Sequence, residues 1–227
     1  MPFWAKGVPP KLSTINARVE TVATAASYRG PWKRGQRCIL PATGFYEWQL
    51  RESGKQPFYI FLTEQSLFGF AGLWDASTNT DGEVLESCTI LTMPANPLMA
   101  EIHNVKARMP AILRRDDHDA WLSGDADTAM NCITAYPQEL MRAYPVSTVV
   151  NSPRNNELRL IEPLAVAPAR QESCAKAAAP MYSGVSRTAA ARAMPRSGMG
   201  LPLVRLAGLP HAAADGFARS GGLIVSV

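Results

Sequence analysis

The sequence predicts an α+β protein: a single β-dominated domain of mainly antiparallel strands with few short helices, spanning residues 1–165. Three observations predict it. Runs rich in β-branched and aromatic residues recur through the first two thirds of the chain, punctuated by Gly, Pro and Asn. The stretches with helical character are short. They do not alternate with the strands in the regular manner of a doubly wound sheet. With 47% hydrophobic and 19% charged residues in 227, the chain can bury a sizeable core.

The elements follow in order. Ile15–Glu20 reads as an extended piece. Arg37–Pro41 and Gly44–Leu50 are predicted strands around the Ala42-Thr43 turn. Pro57–Thr63 and Phe68–Asp75 are predicted to form a hairpin around Glu64–Leu67. Asn79–Gly82 is turn-like, and Ser87–Met93 is the next strand. Asn96 followed by Pro97 suits an N-cap and first helical position, so a short helix runs from there to about Ile102. Arg108–Leu113 is a predicted strand, Asp116–Leu122 a helix and Val146–Val150 a late strand. Residues 166–227 are rich in Ala, Arg, Gly, Ser and Pro without a steady period, which predicts a largely disordered or weakly helical tail. Only Leu201–Leu209 and Leu223–Val227 within it are apolar enough to dock.

Charge and cysteine usage limit the function classes. The net charge of +4 comes from the tail, which holds a surplus of five basic groups, whereas residues 1–165 carry a net of −1. Within that domain, residues 1–60 hold nine basic and three acidic side chains, a modest pointer to a polyanionic partner. Cys38, Cys88, Cys132 and Cys174 form no C-x-x-C pair, so neither a metal site nor a redox motif is expected, and no cofactor is implied. No apolar run reaches the roughly 18 residues of a membrane span, and the start has no leader pattern; a cytoplasmic monomer is the expectation.

Several residues stand out chemically. Glu47 lies between aromatics in Phe45-Tyr46-Glu47-Trp48. Period-2 alternation puts Phe45, Glu47 and Gln49 on one face and Tyr46, Trp48 and Leu50 on the other. If the first face is enclosed, desolvation raises the carboxyl pKa and suits it to general acid–base work; the alternative is a surface glutamate on a half-exposed strand. His103 falls at the carboxyl end of the short helix, where the dipole favours the imidazolium; the alternative is a structural histidine. His118 reads as a solvated helix residue. Asn16 and Arg18 share one strand face and could hold a phosphate or sugar oxygen, or form an ordinary polar face. Trp4, Trp32 and Trp48, interleaved with Lys6, Lys11, Arg18, Lys33, Arg34 and Arg37, suit a stacking platform for single-stranded bases, or buried tryptophans beside unrelated surface cations.

Together these signals match one family in order and wording. Asn16-Ala17-Arg18-x-Glu20 is followed by Arg37-Cys38-Ile39-Leu40-Pro41-Ala42-x-Gly44-Phe45-Tyr46-Glu47-Trp48. Then come Lys55-Gln56-Pro57-Phe58-Tyr59, Ala71-Gly72-Leu73-Trp74 and Thr89-Ile90-Leu91-Thr92-x-Pro94-Ala95-Asn96. Ile102-His103, Arg108-Met109-Pro110-Ala111-Ile112-Leu113, Val146-Ser147 and Asn151-Ser152-Pro153-Arg154-Asn155 close the set. Over roughly residues 1–163 the chain resembles the SRAP family, the SOS-response-associated peptidases that process abasic sites in DNA.

The resemblance implies a barrel-like SRAP fold and a partner, single-stranded DNA carrying abasic sites. It implies an amino-terminal cysteine whose α-amine and thiol form a DNA–protein crosslink with the ring-opened sugar, and a thiol autopeptidase activity that exposes that cysteine. Carried over by motif, Asn16 orients nucleophile and sugar, Glu47 shuttles protons and His103 acts on the sugar oxygen. Arg18 and Arg108 contact phosphates, and Trp4 lines the DNA channel. Two departures accompany the likeness. Met1-Pro2-Phe3-Trp4 resembles an internal stretch of the family, so the cysteine-bearing segment has no counterpart and the domain is expected to be amino-terminally truncated. A non-catalytic binder of single-stranded or abasic DNA is therefore the alternative. Cys38, inside a predicted strand, is a poor substitute nucleophile. The second departure is spacing: Asn104-Val105-Lys106-Ala107 separates His103 from Arg108, three residues more than the family's His-x-Arg.

Overall fold

A computed structural model describes residues 2–8, 13–164 and 225–226. Its ten strands form two sheets that share one core. The strands are β1 (Asn16–Arg18), β2 (Arg37–Ala42), β3 (Phe45–Arg51), β4 (Gly54–Leu62) and β5 (Phe68–Thr78). They continue with β6 (Val84–Pro94), β7 (Arg108–Pro110), β8 (Ile112–Leu113), β9 (Met141–Pro145) and β10 (Val225–Ser226). The larger sheet runs β1-β6-β5-β2, with β7 on β6 and β8 on β5; the smaller runs β10-β3-β4-β9. The strands are joined by four short helices: α1 (Arg29–Lys33), α2 (Pro97–Ile102), α3 (His118–Ser123) and α4 (Ala126–Asn131). The predicted fold class is the observed one: β-dominated α+β, mainly antiparallel, with the parallel pairs confined to β1–β6 and β10–β3.

The apolar residues of β3 and β4 (Phe45, Ile60, Leu62) meet those of β5 and β6 (Phe70, Leu73, Ile90, Leu91) in the main core. Phe45 and Phe70 join the sheets edge to face at 5.6 Å. The other face of the small sheet is buried as well: Tyr46 and Tyr59 pack with Val146 and Leu160 beneath the 3-10 turns Thr148–Asn151 and Leu158–Ile161. β3 therefore follows the predicted alternation, Phe45 and Glu47 toward one side, Tyr46 and Trp48 toward the other.

Several expected elements differ. The hairpin of 57–63 with 68–75 does not exist: β4 pairs with β3 and β9, and β5 with β2, β6 and β8. The connection at 63–67 crosses between sheets, so that Ile60 and Leu62 of β4 oppose Phe70 and Leu73 of β5 within the main core. β2 and β3 likewise lie in different sheets, with the turn at Gly44 passing under Tyr59, whose ring a Cβ at that position would strike. Arg108–Leu113 is broken at Ala111, whose carbonyl accepts from Ala71 N–H and whose N–H donates to the Leu91 carbonyl, stepping the chain from β6 to β5. Val146–Val150 is not a strand. Val146 makes one isolated bridge to Pro163, and Ser147 caps a 3-10 turn by accepting the Val149 N–H. The late strand is β9, which the sequence reading missed because Arg142 and Pro145 obscure its pattern. α1 and α4 were also unforeseen; α4 starts on Asp125, whose side chain caps the Thr128 N–H.

His118 is half-buried beside Gly69, and desolvation lowers its pKa, in contrast to the solvated residue expected. The expectation for the tail falls outside the described residues, apart from Val225–Ser226 pairing with Phe45–Tyr46. Among the described residues no helix is long and apolar enough to cross a membrane, and no cluster of three metal-ligating side chains occurs.

Candidate functional site

Glu47 and His103 meet at the end of the small sheet. β3 brings Glu47 in from the core side, where it is 3% exposed. α2 brings His103 from the opposite direction. Asn96 starts that helix as predicted: its Oδ1 accepts the Met99 N–H at 2.9 Å and Pro97 occupies the first turn. Asn96 is itself buried, and its Nδ2 donates to the Tyr136 carbonyl at 2.7 Å. The helix ends after Ile102, and His103 takes a non-helical conformation as its C-cap.

His103 Nδ1 lies 3.1 Å from the Arg108 carbonyl oxygen. A carbonyl only accepts, so Nδ1 carries the proton, leaving Nε2 as the reactive nitrogen. The same Nδ1 is 3.3 Å from Glu47 Oε2. That contact lacks hydrogen-bond alignment, and Oε2 is buried without a hydrogen-bond partner, so the interaction is electrostatic. Glu47 Oε1 accepts the Trp48 N–H at 3.0 Å. Burial pushes the Glu47 carboxyl above its ordinary pKa. The Trp48 N–H and the charges of His103, Lys106 and Lys55 offset part of that shift. A carboxyl raised in this way holds its proton more firmly than a solvated one, and the imidazole beside it is a second group able to take up or give a proton. The pair can therefore do acid–base work on a substrate presented from outside.

The other sequence-derived residues are placed as follows. Asn16 opens β1, opposite Ile90. Its main-chain carbonyl accepts from Tyr28 Oη, and its side-chain Oδ1 is buried with no hydrogen-bond partner. Arg18 ends β1 and is exposed. Arg108 begins β7, where its guanidinium forms a two-pronged ion pair with Glu20 at 2.8 and 3.0 Å and donates to Thr92. That pairing holds the Glu20 carboxyl below its usual range. Trp4 is 45% exposed on the 3-10 turn Phe3–Ala5, which Phe3 N–H anchors to Asp75.

Of the two readings left open for Trp4, Trp32 and Trp48, a stacking platform and buried rings, Trp32 takes the second. Trp32 is buried against Trp121, and Arg37, a cation assigned to that platform, is sandwiched between those two rings and donates to the Trp121 and Gly124 carbonyls. Trp48 is partly covered, with its Nε1 donating to Asn151 Oδ1. Cys38 sits in β2, and burial pushes its thiol up to about 12, which excludes it as a nucleophile at neutral pH. Sequence reasoning passed over Asn104, whose side chain bonds both main-chain groups of Leu50. Its only signal was its place in the widened spacing between His103 and Arg108.

A curled pair of sheets with a buried carboxylate–imidazole pair at its rim defines the scaffold. The sequence profile described as SOS response associated peptidase (SRAP) matches residues 1–153, and the chain belongs to that family. It is 41% identical over 166 residues to the abasic site processing protein YoqW of Bacillus subtilis (strain 168), covering 71% of this chain and 72% of that one. The abasic site processing protein HMCES of Gallus gallus is 34% identical over 188 residues, covering 72% of this chain and 55% of its own length. Among solved structures, a protein from Bacteroides thetaiotaomicron superposes with a TM-score of 0.64 at 30% identity, covering 72% of this chain and 73% of that one.

Proposed function

We propose that this protein processes abasic sites in DNA, with Glu47 and His103 as its proton-transfer pair. The observation that carries the proposal is the buried Glu47 carboxylate held 3.3 Å from an imidazole whose Nδ1 proton is already assigned. Relatives named for abasic site processing support the substrate class.

An abasic deoxyribose exists partly as a ring-opened aldehyde. Opening the ring requires removal of the C1′ hydroxyl proton and protonation of the ring oxygen. The Glu47 carboxylate suits the first step by taking up that proton, and His103 suits the second in its doubly protonated form, giving the Nε2 proton to the ring oxygen while Nδ1–H stays on the Arg108 carbonyl. The buried, unpartnered Oδ1 of Asn16 is an acceptor suited to a sugar hydroxyl or an incoming amine. Exposed Arg18 is the cation suited to a flanking phosphate, whereas Arg108 reaches DNA only by leaving Glu20. Single-stranded DNA fits best, since its sugar can turn into the rim without the cost of unstacking a duplex.

Covalent capture follows when an amine adds to the C1′ aldehyde. The carbinolamine accepts a proton on its hydroxyl, releases water and becomes an imine. An adjacent thiol then adds to the imine carbon and closes a thiazolidine, as family resemblance implies for an amino-terminal cysteine. Family-type autoproteolysis belongs to the same reading.

The test is a denaturing gel of an abasic single-stranded oligonucleotide incubated with this chain and with a version carrying a family-type Met-Cys segment ahead of it. We expect the extended version to give a heat-stable adduct that falls by about 10²–10⁴-fold in Glu47→Gln and His103→Ala, the usual worth of acid–base groups. Undiminished adduct in both variants refutes the assignment. Salt-sensitive binding without an adduct supports the non-catalytic alternative.

A further inference from the structure

The geometry points to Asn104 as a positioning residue that holds His103 against Glu47 by docking the His103–Arg108 turn onto the edge of β3 beyond its short pairing with Val225–Ser226. The inference rests on the reading above that Glu47 and His103 form the reacting centre.

β3 pairs with β4 along one edge. The other edge meets β10 only at Phe45 and Tyr46, and beyond it main-chain groups of Trp48 and Leu50 are satisfied by side chains. Trp48 N–H is taken by the Glu47 carboxylate. Leu50 N–H donates to Asn104 Oδ1 at 2.9 Å, and the Leu50 carbonyl accepts from Asn104 Nδ2 at 2.9 Å. A carboxamide presents one acceptor and one donor side by side, so Asn104 imitates one residue of a neighbouring strand. Gln49 Nε2 adds a third tie, to the Glu101 carbonyl at 3.0 Å. These three bonds stitch the end of α2 to β3, directly flanking the two residues of the pair.

The turn behind Asn104 is also fixed at its base. Ala107 N–H donates to the His103 carbonyl at 2.8 Å, and the Ala107 carbonyl accepts the Ala95 N–H at 2.9 Å. Ala107 adopts φ 46°, a left-handed conformation that a non-glycine residue holds only when its surroundings demand it. A six-residue helix has little stability of its own, so tertiary ties set where its carboxyl end lies. Asn104 is therefore the residue that converts the widened His103–Arg108 spacing from a loose loop into a clamp.

Three charged groups act on Glu47: His103 and Lys106 from the clamp and Lys55 from β4. When the turn lifts away, His103 and Lys106 move off together. The burial of Glu47, the largest influence on its titration, is then relieved while two of the three charges beside it are lost, so its midpoint departs from the parent value.

The experiment compares Asn104→Ala and Asn104→Asp with the parent chain by three readouts. Hydrogen exchange at the Leu50 amide reports the clamp. NMR titration of the Glu47 carboxyl reports the pair without DNA, and the pH profile of adduct formation in the Met-Cys version reports the reaction. Alanine should cut Leu50 protection at least tenfold, shift the Glu47 midpoint and slow adduct formation by about ten- to a hundredfold, the penalty for ångström-scale misplacement. Aspartate keeps an acceptor for the Leu50 N–H, so it should retain that protection while losing the tie to the Leu50 carbonyl, and shift the profile less. Leu50 protection and Glu47 titration both unchanged in folded Asn104→Ala would overturn the positioning role, whatever the activity. A shifted titration with no adduct in any version would leave the clamp standing and remove the proposed reaction instead. Should alanine unfold the protein, the aspartate variant decides: an unshifted Glu47 midpoint counts against the clamp.

Discussion

Asn96 is the side chain on which the placement of α2, and hence of His103, depends most directly. It is buried at 6% exposure and satisfies two main-chain groups at once. Its Oδ1 caps the Met99 N–H, and its Nδ2 donates to the Tyr136 carbonyl. Asn96→Ala loses the cap, worth about 1 kcal/mol. It also strands a buried carbonyl, which costs about 1–3 kcal/mol. The sum is about 2–4 kcal/mol. At roughly 2–4 °C per kcal/mol for a domain of this size, the midpoint of thermal unfolding should fall by about 4–16 °C. Asn96→Ser keeps the cap and should recover about 1 kcal/mol of the loss. Asn96→Asp keeps the cap but turns a carboxylate oxygen toward the Tyr136 carbonyl, and should be no better than alanine. Differential scanning calorimetry on the four proteins decides the matter. An alanine midpoint within about 2 °C of the parent would refute the reasoning, because an orphaned buried carbonyl cannot be that cheap.

The Glu47 carboxyl is raised by burial, so the folded chain holds that proton more tightly than the unfolded one; stability is greatest below the unfolded pKa near 4.5 and declines as pH rises through the folded value. Glu47→Gln should therefore melt higher than the parent at pH 7 and match it near pH 4, and a pH-independent difference would refute this. Gly44→Ala should cost about 1–3 kcal/mol in a denaturant titration, since the added methyl meets the Tyr59 ring; an unchanged midpoint would show that Tyr59 moves freely. Brief alkylation at pH 8 followed by peptide mass spectrometry should label exposed Cys88 ahead of Cys38: partial burial raises the Cys88 thiol as well, but deeper burial pushes Cys38 up to about 12, and equal labelling of both in the native protein would contradict the burial of β2.

Much of the local structure was legible beforehand. The Asn96-Pro97 start, the alternation in β3 and the extent of β2 all depend on interactions within a few residues, and such signals survive in a linear reading. The pairing of strands did not survive. Strands β4 and β5 are separated by a short, turn-like linker that reads as a hairpin, yet the linker crosses between sheets. Nothing local distinguishes two strands side by side from two strands face to face, because both need the same apolar alternation. The missed β9 and the misplaced late strand have the same origin: Met141–Pro145 becomes a strand by pairing with Phe58–Leu62, not by its own propensity.

For the site, the sequence by itself determined the cast: Glu47 among aromatics, His103 at a helix end, and the Asn16 and Arg18 face. Residue type sets which protons a side chain can exchange, and type is written in the letters. Only the tertiary structure decided the arrangement. It joined Glu47 to His103, set Arg108 on Glu20, buried Trp32 and Arg37 out of any nucleic-acid platform and brought Asn104 to the edge of β3. Each of these is a contact across 50 or more residues of chain or a partition between core and surface. Such outcomes depend on how two sheets close over one core, a cooperative choice that no short stretch of sequence encodes.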